Sequence, residues 1–240
     1  DDVEMATGKS GEWWTTHPHR ALANISAVYH DKPSREDFNR EWDTLVSSGS
    51  GERGIFNRAS AQRQAARNGL RDITARYGTN PCGEIILKPM SFCNLTEVIV
   101  RPKDDLHLLR WKGRLATILG TWQSTLTDFP FLRPQWRRNA EEERLLGVSL
   151  TGIYDNPLTA NTSDELGDEL AILRTEARAA NGIEAAKIGI PVSAAITCVK
   201  PSGTVSQLAG SASGIHPWHA RYYIRRVRAD IKDPLAQLMR

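Results

Sequence analysis

Apolar positions along this chain switch between two spacings. Behind Ser34, the residues Phe38, Trp42, Leu45 and Val46 recur at helical intervals, which predicts a helix through Ser48 that Gly49 and Gly51 end. Ala59 to Asn68 is an Ala- and Arg-rich helical stretch stopped by Gly69. Asp104-Asp105 opens a long helix that carries Leu106, Leu109, Leu115, Ile118, Leu119 and Trp122. Ser163 caps another, with Leu166, Leu170, Leu173 and Ala177 on one face and Asn181-Gly182 as its stop. Between these lie apolar runs too short for helices. Leu22 to Tyr29, Ile85 to Leu87, Leu95 to Val100, Leu145 to Tyr154 and Ile190 to Val199 read as strands, and Ile55-Phe56 as a short strand or loop. The runs from Leu145 and from Ile190 have the continuous apolar character of buried strands. Pro130 and Pro134 break the chain. Residues 1–19 are polar and without a period, apart from Trp13 and Trp14, which are placed to dock on the body of the protein. Strands alternating with helices predict an α/β fold with parallel pairing. No repeat or low-complexity linker interrupts it, so residues 1–240 read as one domain.

Composition changes this picture little. The chain has 240 residues, of which 40% are hydrophobic and 25% charged, as in an ordinary globular protein. A net charge of +3 gives no warrant for nucleic-acid binding. Arg221, Arg225, Arg226 and Arg228 make one basic patch, read as a strand with solvated or phosphate-facing arginines. Three cysteines are too few for a disulfide scaffold. No N-terminal apolar segment and no run long enough to span a bilayer is present, so no membrane is expected. The expected setting is cytoplasmic and reducing, where free thiols are reactive, metal-bound or buried.

The chemistry concentrates in Asn80-Pro81-Cys82-Gly83-Glu84-Ile85 and in Cys93-Asn94-Leu95-Thr96-Glu97. With an extended backbone, Asn80, Cys82 and Glu84 would point to one side, offering one small substrate an amide, a thiol and a base. Zinc is the obvious rival use of cysteines and histidines. No Cys-x-x-Cys pair exists, however, and His216 and His219 read as hydrogen-bonding or packing residues, so no metal is expected. A third feature is Pro201-Ser202-Gly203-Thr204, between a buried strand and a probable helix. Helix-start N–H groups attract phosphate, Gly203 permits close approach, and Ser202, Thr204 and Ser206 add hydroxyls. The Walker spacing is absent. From the residues alone, an ordinary strand-to-helix turn is as good a reading.

Together these stretches resemble the active site of ribonucleotide reductases, and most closely the adenosylcobalamin-dependent (class II, monomeric type) ribonucleoside-triphosphate reductases. Ala194 to Ser206 resembles the family's phosphate-binding strand, loop and helix. Ser213-Gly214-Ile215-His216-Pro217-Trp218-His219 and Tyr222 to Arg228 resemble the family's stretch C-terminal to that loop. Ala21-Leu22-Ala23-Asn24 and Gly54-Ile55-Phe56-Asn57-Arg58 fit less specifically.

The resemblance implies part of a ten-stranded α/β barrel with the active cysteine on a loop inside it. It implies that Cys82 is the thiyl site, Glu84 the base, Asn80 the sugar-orienting amide and Cys93 one of two reducing cysteines. It assigns the substrate phosphates to Ser202, Gly203, Thr204, Val205 and Ser206. It further implies adenosylcobalamin as cofactor, with no residue of this chain assigned to it, a ribonucleoside triphosphate as substrate, thioredoxin or a similar dithiol as reductant, and a monomeric enzyme making DNA precursors. Cys93 could instead be a structural thiol or pair with Cys82; Cys198 reads as packing, and Glu97 as a strand-edge charge rather than a second acid. Two other functions stay open. One is a non-catalytic nucleotide-binding regulator derived from a reductase. The other is an oxygen-dependent reductase with a separate radical subunit. The family's chains are much longer, and they carry the partner of Cys93 upstream and a reloading cysteine pair at the C-terminus. The chain therefore reads as an internal fragment, expected not to turn over alone.

Overall fold

The computed structural model describes residues 3–23, 25–49, 53–224 and 229–239. Asn24, Gly51, Arg225, Arg226 and Arg228, which the sequence singles out, lie outside the described residues. Two single-turn helices come first, α1 (Val3–Ala6) and α2 (Trp13–Thr16), then a 3-10 turn over Pro18–Leu22. Trp13 lies under the Lys9 ammonium, 5.2 Å from its ring centre, whereas Trp14 is 60% exposed. A unit of β1 (Ser26–Tyr29), α3 (Arg35–Ser48) and β2 (Gly54–Asn57) comes next, with the two strands parallel from Ser26↔Gly54 to Tyr29↔Asn57. Its helix starts where the sequence places it, because the Ser34 side chain accepts the Asp37 N–H, and it ends on Gly49 in the left-handed region. Then come α4 (Arg58–Ala66) and a minimal antiparallel hairpin, β3 (Gly78–Thr79) and β4 (Ile86–Leu87).

The best-buried part of the molecule is built on β5 (Asn94–Ile99) and β6 (Leu146–Thr151), paired in parallel from Asn94↔Leu146 to Ile99↔Thr151. Between them run α5 (Leu106–Gln123) and α6 (Pro134–Glu143); after them come α7 (Pro157–Ala160), α8 (Asp164–Ile188), α9 (Thr204–Ala209) and α10 (Pro234–Leu238). Residues 194–198 run along the far side of β6. The Leu146 N–H donates to Ala195 O at 2.9 Å, the Val148 N–H to Ile196 O at 2.8 Å, and the Cys198 N–H to Val148 O at 3.1 Å. Helices α5 and α8 pack together and cover one face of this arrangement. Val98, Ala116, Leu146, Val148, Ala177 and Ile196 form the core there, with Leu150 against it. Removing these apolar side chains from water is the main force holding strands and helices together. Among the described residues, no helix is long and apolar enough to cross a membrane.

Four elements differ from the sequence reading. First, Asn181-Gly182 does not end α8, which continues to Ile188 and stops at Gly189, φ 71°. Asn181 is fully buried: its Nδ2 donates to Thr121 Oγ1 at 2.9 Å and Ser193 Oγ at 3.0 Å, and its Oδ1 accepts the Ser193 N–H at 2.9 Å. Tertiary partners, not a turn, explain this Asn. Second, Pro134 starts a helix rather than merely breaking the chain, since a proline at the first helical position loses no intrahelical bond. Third, Ile190 to Val199 forms no regular strand; its β pairing is the single Val148↔Thr197 bridge. Fourth, β1 begins only at Ser26.

Candidate functional site

The segment from Asn80 to Ile85 is a closed turn, not the extended strand on which a common side for Asn80, Cys82 and Glu84 depended. The Gly83 N–H donates to Asn80 O at 3.0 Å, and the Asn80 N–H to Ile85 O at 3.2 Å. The Asn80 side-chain oxygen accepts the Ile85 N–H at 3.0 Å, locking the loop from within. Gly83 adopts φ +82°, a conformation that glycine takes without steric cost. Cys82 is exposed at the tip of this turn, while Glu84 folds back beneath it.

A buried polar anchor fixes the turn to the body. Arg71 Nε donates to Glu143 Oε1 at 2.8 Å, and an Arg71 Nη2 hydrogen reaches Ile86 O at 2.9 Å. The two side chains are 6% and 1% exposed. The Arg71 guanidinium also lies over the ring of fully buried Tyr77, 4.8 Å from its centre. On the other flank, Asn139 of α6 donates to Pro89 O and Met90 O, both at 2.9 Å. This holds Met90 at φ 59°, which non-glycine residues rarely adopt. The stretch between Cys82 and Cys93 is thus pinned at both ends.

Cys93 and Cys198 meet on the β5–β6 arrangement at Gly147. A Cβ placed on Gly147 would stand 3.2 Å from each sulfur and closer still to Leu95. The missing side chain therefore makes the room both thiols use, and the sulfurs are at most twice that distance apart. Cys93 and Cys198 flank β6 on opposite sides, two strand spacings apart, too far for a disulfide without backbone movement. Burial pushes the Cys93 thiol up to about 12, helped by the neighbouring Cys198 and Glu84. Burial and Glu84 push Cys198 up to about 11. Both are protonated thiols near neutrality.

Glu84 is the centre of the cluster. Its Oε1 accepts from Lys200 Nζ at 3.2 Å, and its Oε2 is buried without a hydrogen-bond partner among the described residues. Burial alone would lower the Lys200 ammonium, but the Glu84 hydrogen bond and charge outweigh it, with smaller help from Cys82 and Cys198, so its pKa is raised. Beyond Lys200 the chain enters the 201–206 turn. Ser202 Oγ donates to Glu97 Oε2 at 2.7 Å and accepts the Ser206 N–H at 3.3 Å; Ser206 Oγ donates to Gly203 O at 2.8 Å. Ser202 and Ser206 are buried and shape the turn, whereas Gly203, Thr204 and Val205 are exposed at the start of α9.

The structure thus brings Cys82, Glu84, Cys93, Cys198 and Lys200 into one cluster, with Ser202 tied to Glu97 beside it. Sequence reasoning passed over Lys200 and the Arg71–Glu143 anchor. Lys200 carried a signal, a lone cation ending an apolar run just before a glycine turn; Arg71 and Glu143, 72 positions apart, carried none. His216 and His219 lie outside the cluster, with His216 Nδ1 3.2 Å from Ser213 O and the His219 ring edge-on to Tyr223.

No protein-family model matches the chain. The chain is similar to curated proteins named adenosylcobalamin-dependent ribonucleoside-triphosphate reductase. One, from Levilactobacillus brevis, is 32% identical over 183 residues, which cover 66% of this chain and 24% of the relative. Another, from Lacticaseibacillus paracasei, is 28% identical over a match that takes in 98% of this chain and 34% of the relative. The chain spans about a quarter to a third of the length of these relatives. A crystal structure of a B12-dependent (class II) ribonucleotide reductase superposes with a TM-score of 0.49 at 23% identity, covering 80% of this chain and 34% of that one.

Proposed function

We propose that this chain carries the radical-bearing part of a ribonucleoside-triphosphate reductase, which replaces the ribose 2′-hydroxyl by hydrogen for DNA precursor synthesis. The observation that carries this reading is the pairing of an exposed thiol, Cys82, with a carboxylate, Glu84, that keeps one buried oxygen uncommitted. Hydroxide is a poor leaving group from an unactivated carbon. A radical at C3′ makes departure of the neighbouring 2′-hydroxyl feasible, and a thiyl radical exchanges hydrogen with C–H bonds of similar strength. In this reading the Cys82 thiyl takes the C3′ hydrogen and becomes a thiol. Glu84 Oε2 takes the 3′-hydroxyl proton, and the 2′-hydroxyl leaves as water with a proton from one of the two reducing thiols. Two thiols then supply two electrons and end as a disulfide. Cys93 is one of them, and its neutral state suits a hydrogen donor. Cys82 later recovers its radical by returning hydrogen to C3′.

Adenosylcobalamin, named for the relatives, supplies the initiating radical when bound. The exposed tip at Cys82 fits a sulfur that gives up its hydrogen to a radical from outside the turn. Asn80 steadies the turn and presents its Nδ2 hydrogens to the sugar, so that one C–H is within reach. Gly203, Thr204 and Val205 offer backbone N–H groups to the substrate phosphates, over a turn shaped by Ser202 and Ser206. The β5–β6–194–198 arrangement, helices on one face and the sulfur cluster on the other, is read as a portion of the ten-stranded barrel. The Cys82 turn is then the loop entering it. A dithiol such as thioredoxin restores the reducing pair. Because the resemblance places the partner of Cys93 upstream of this stretch, the isolated chain is not expected to turn over.

The test is deoxynucleotide formation by the whole reductase that carries this region, supplied with adenosylcobalamin, a ribonucleoside triphosphate and a dithiol. Cys82→Ser should abolish it while leaving nucleotide binding intact; retained activity would remove the radical assignment. Sustained product from the isolated chain would refute the expectation that it is inactive.

A further inference from the structure

Lys200 has two possible employments. A lysine one residue ahead of a phosphate-binding turn is placed to grip a phosphate; a lysine against a buried carboxylate is placed to hold that carboxylate. The geometry separates them. Lys200 Nζ stands 3.2 Å from Glu84 Oε1, and the two side chains are 18% and 7% exposed. The Lys200 backbone is itself confined: a Cβ on Gly214, which has φ +54°, would stand 2.7 Å from Lys200 O. The other ionisable groups around the carboxylate are the thiols of Cys82, Cys93 and Cys198, with Glu97 beyond Cys198 and Arg71 beyond Cys93. Arg71 is committed to Glu143 at 2.8 Å. Lys200 is therefore the cation in contact with Glu84 among the described residues.

A carboxylate offers two equivalent oxygens, and nothing in its own chemistry chooses between them. Fixing one by a charge-assisted hydrogen bond fixes where the other points. We infer that Lys200 is the positioning residue for Glu84, not a phosphate ligand: it grips Oε1 and thereby leaves Oε2 as the oxygen that takes the substrate proton. This rests on the reading of Glu84 as the base. Lys200 touches no reacting atom in this scheme; it acts through Glu84.

The experiment compares Lys200→Met with Lys200→Arg in three measurements. In steady-state kinetics of the whole reductase, Lys200→Met should lower kcat by about 100-fold, within the range a misplaced general base costs. KM should move by less than about threefold, and Lys200→Arg should recover at least about a tenth of the lost rate. In calorimetry with CTP, Lys200→Met should bind as the unsubstituted protein does. If KM and the CTP Kd instead rise together by about tenfold with kcat kept, Lys200 serves the phosphates and the inference falls. An unchanged kcat also overturns it. The third measurement uses the isolated chain with ¹³C-labelled glutamate carboxyls, the Glu84 resonance being identified by its loss in Glu84→Gln. That resonance should move in Lys200→Met and hold its place in Lys200→Arg; no movement overturns the contact whatever the enzyme does. Should Lys200→Met fail to fold, Lys200→Arg decides through kcat and the resonance, since it preserves the grip. Cys82→Ser, assayed in parallel, reports on the radical reading by itself: activity there would sink that reading without touching the carboxyl resonance.

Discussion

Cys82 sits exposed at the tip of a hairpin whose strands are two residues each, whereas Cys93 is half-buried directly before six-residue β5, against Gly147 of β6. The turn draws its shape from a few hydrogen bonds and one buried ion pair. The sheet draws its shape from apolar burial under two long helices. The contrast assigns each sulfur a different chemistry. An exposed thiol on a short, pinned turn can be approached by a reagent or a radical. A half-buried thiol with its proton held on is a poor nucleophile and a sound hydrogen donor.

The largest effect expected from breaking this contrast is at Cys82. Replacing it by Ser should remove turnover in the proposed reductase, by several orders of magnitude, yet leave the urea midpoint of the isolated chain unchanged, because the side chain is exposed. A measurable loss of stability would show that the turn depends on the sulfur for packing.

Alkylation sharpens the comparison next. Iodoacetamide reacts with thiolate, so a thiol raised to about 12 is protected at pH 8, and its reactivity climbs with pH until that value is passed. In the native chain at pH 8, Cys93 should label at least about a hundredfold more slowly than the same residue in urea. Cys198, raised to about 11, should become reactive at lower pH than Cys93. Peptide mapping by mass spectrometry reads the order, and equal native labelling of Cys82 and Cys93 would contradict the burial described above.

Third comes the anchor. Arg71→Ala leaves Glu143 buried, with Lys88 Nζ still 3.6 Å away. It should cost about 3–5 kcal/mol in urea unfolding, as loss of one partner from a buried pair does. Hydrogen exchange should show the loss concentrated in residues 71–87.

The smallest effect is at Gly147. Gly147→Ala drives a methyl against Leu95 and both sulfurs, at 3.2 Å from each sulfur. About 1–3 kcal/mol of overpacking strain is expected, together with altered labelling of Cys93 and Cys198 and no change at Cys82.

Much of the frame was legible because local chemistry and tertiary structure agree there. Ser34 and Asp105 cap the helices predicted behind them, and β5 overlaps the apolar run that announced it from Leu95 to Ile99. The disagreements share a physical cause, in that a distant partner overrides a local signal. Asn181-Gly182 has turn chemistry, yet Thr121 and Ser193 satisfy the Asn inside a continuous helix. Pro134 and the polar residues after it lack apolar periodicity, yet they form α6, whose Asn139 holds Pro89 and Met90. At the site, the spacing of Asn80, Cys82 and Glu84 was visible, but an alternating strand and a tight turn share the same residues. Only the Asn80–Ile85 bonds choose between them. The meeting of Cys198 with Cys93 depends on β6 lying between their segments, which no local pattern encodes.

The buried triad of Thr121, Asn181 and Ser193 carries a mechanical consequence. Along α8 the buried apolar residues are Ala177, Ala180 and Ala185, a smooth seam that resists sliding only weakly. Three polar residues that find one another at a single setting, with the Trp122–Glu184 bond beside them, act as a detent, stopping the rod at one notch. Since Ser193 stands directly before the segment that carries Cys198 and Lys200, the notch also sets how far that segment extends along β6. Filing it smooth with Asn181→Leu would let the rod creep, and the first thing to lose its mark would be the sulfur at 198, many residues from the edit.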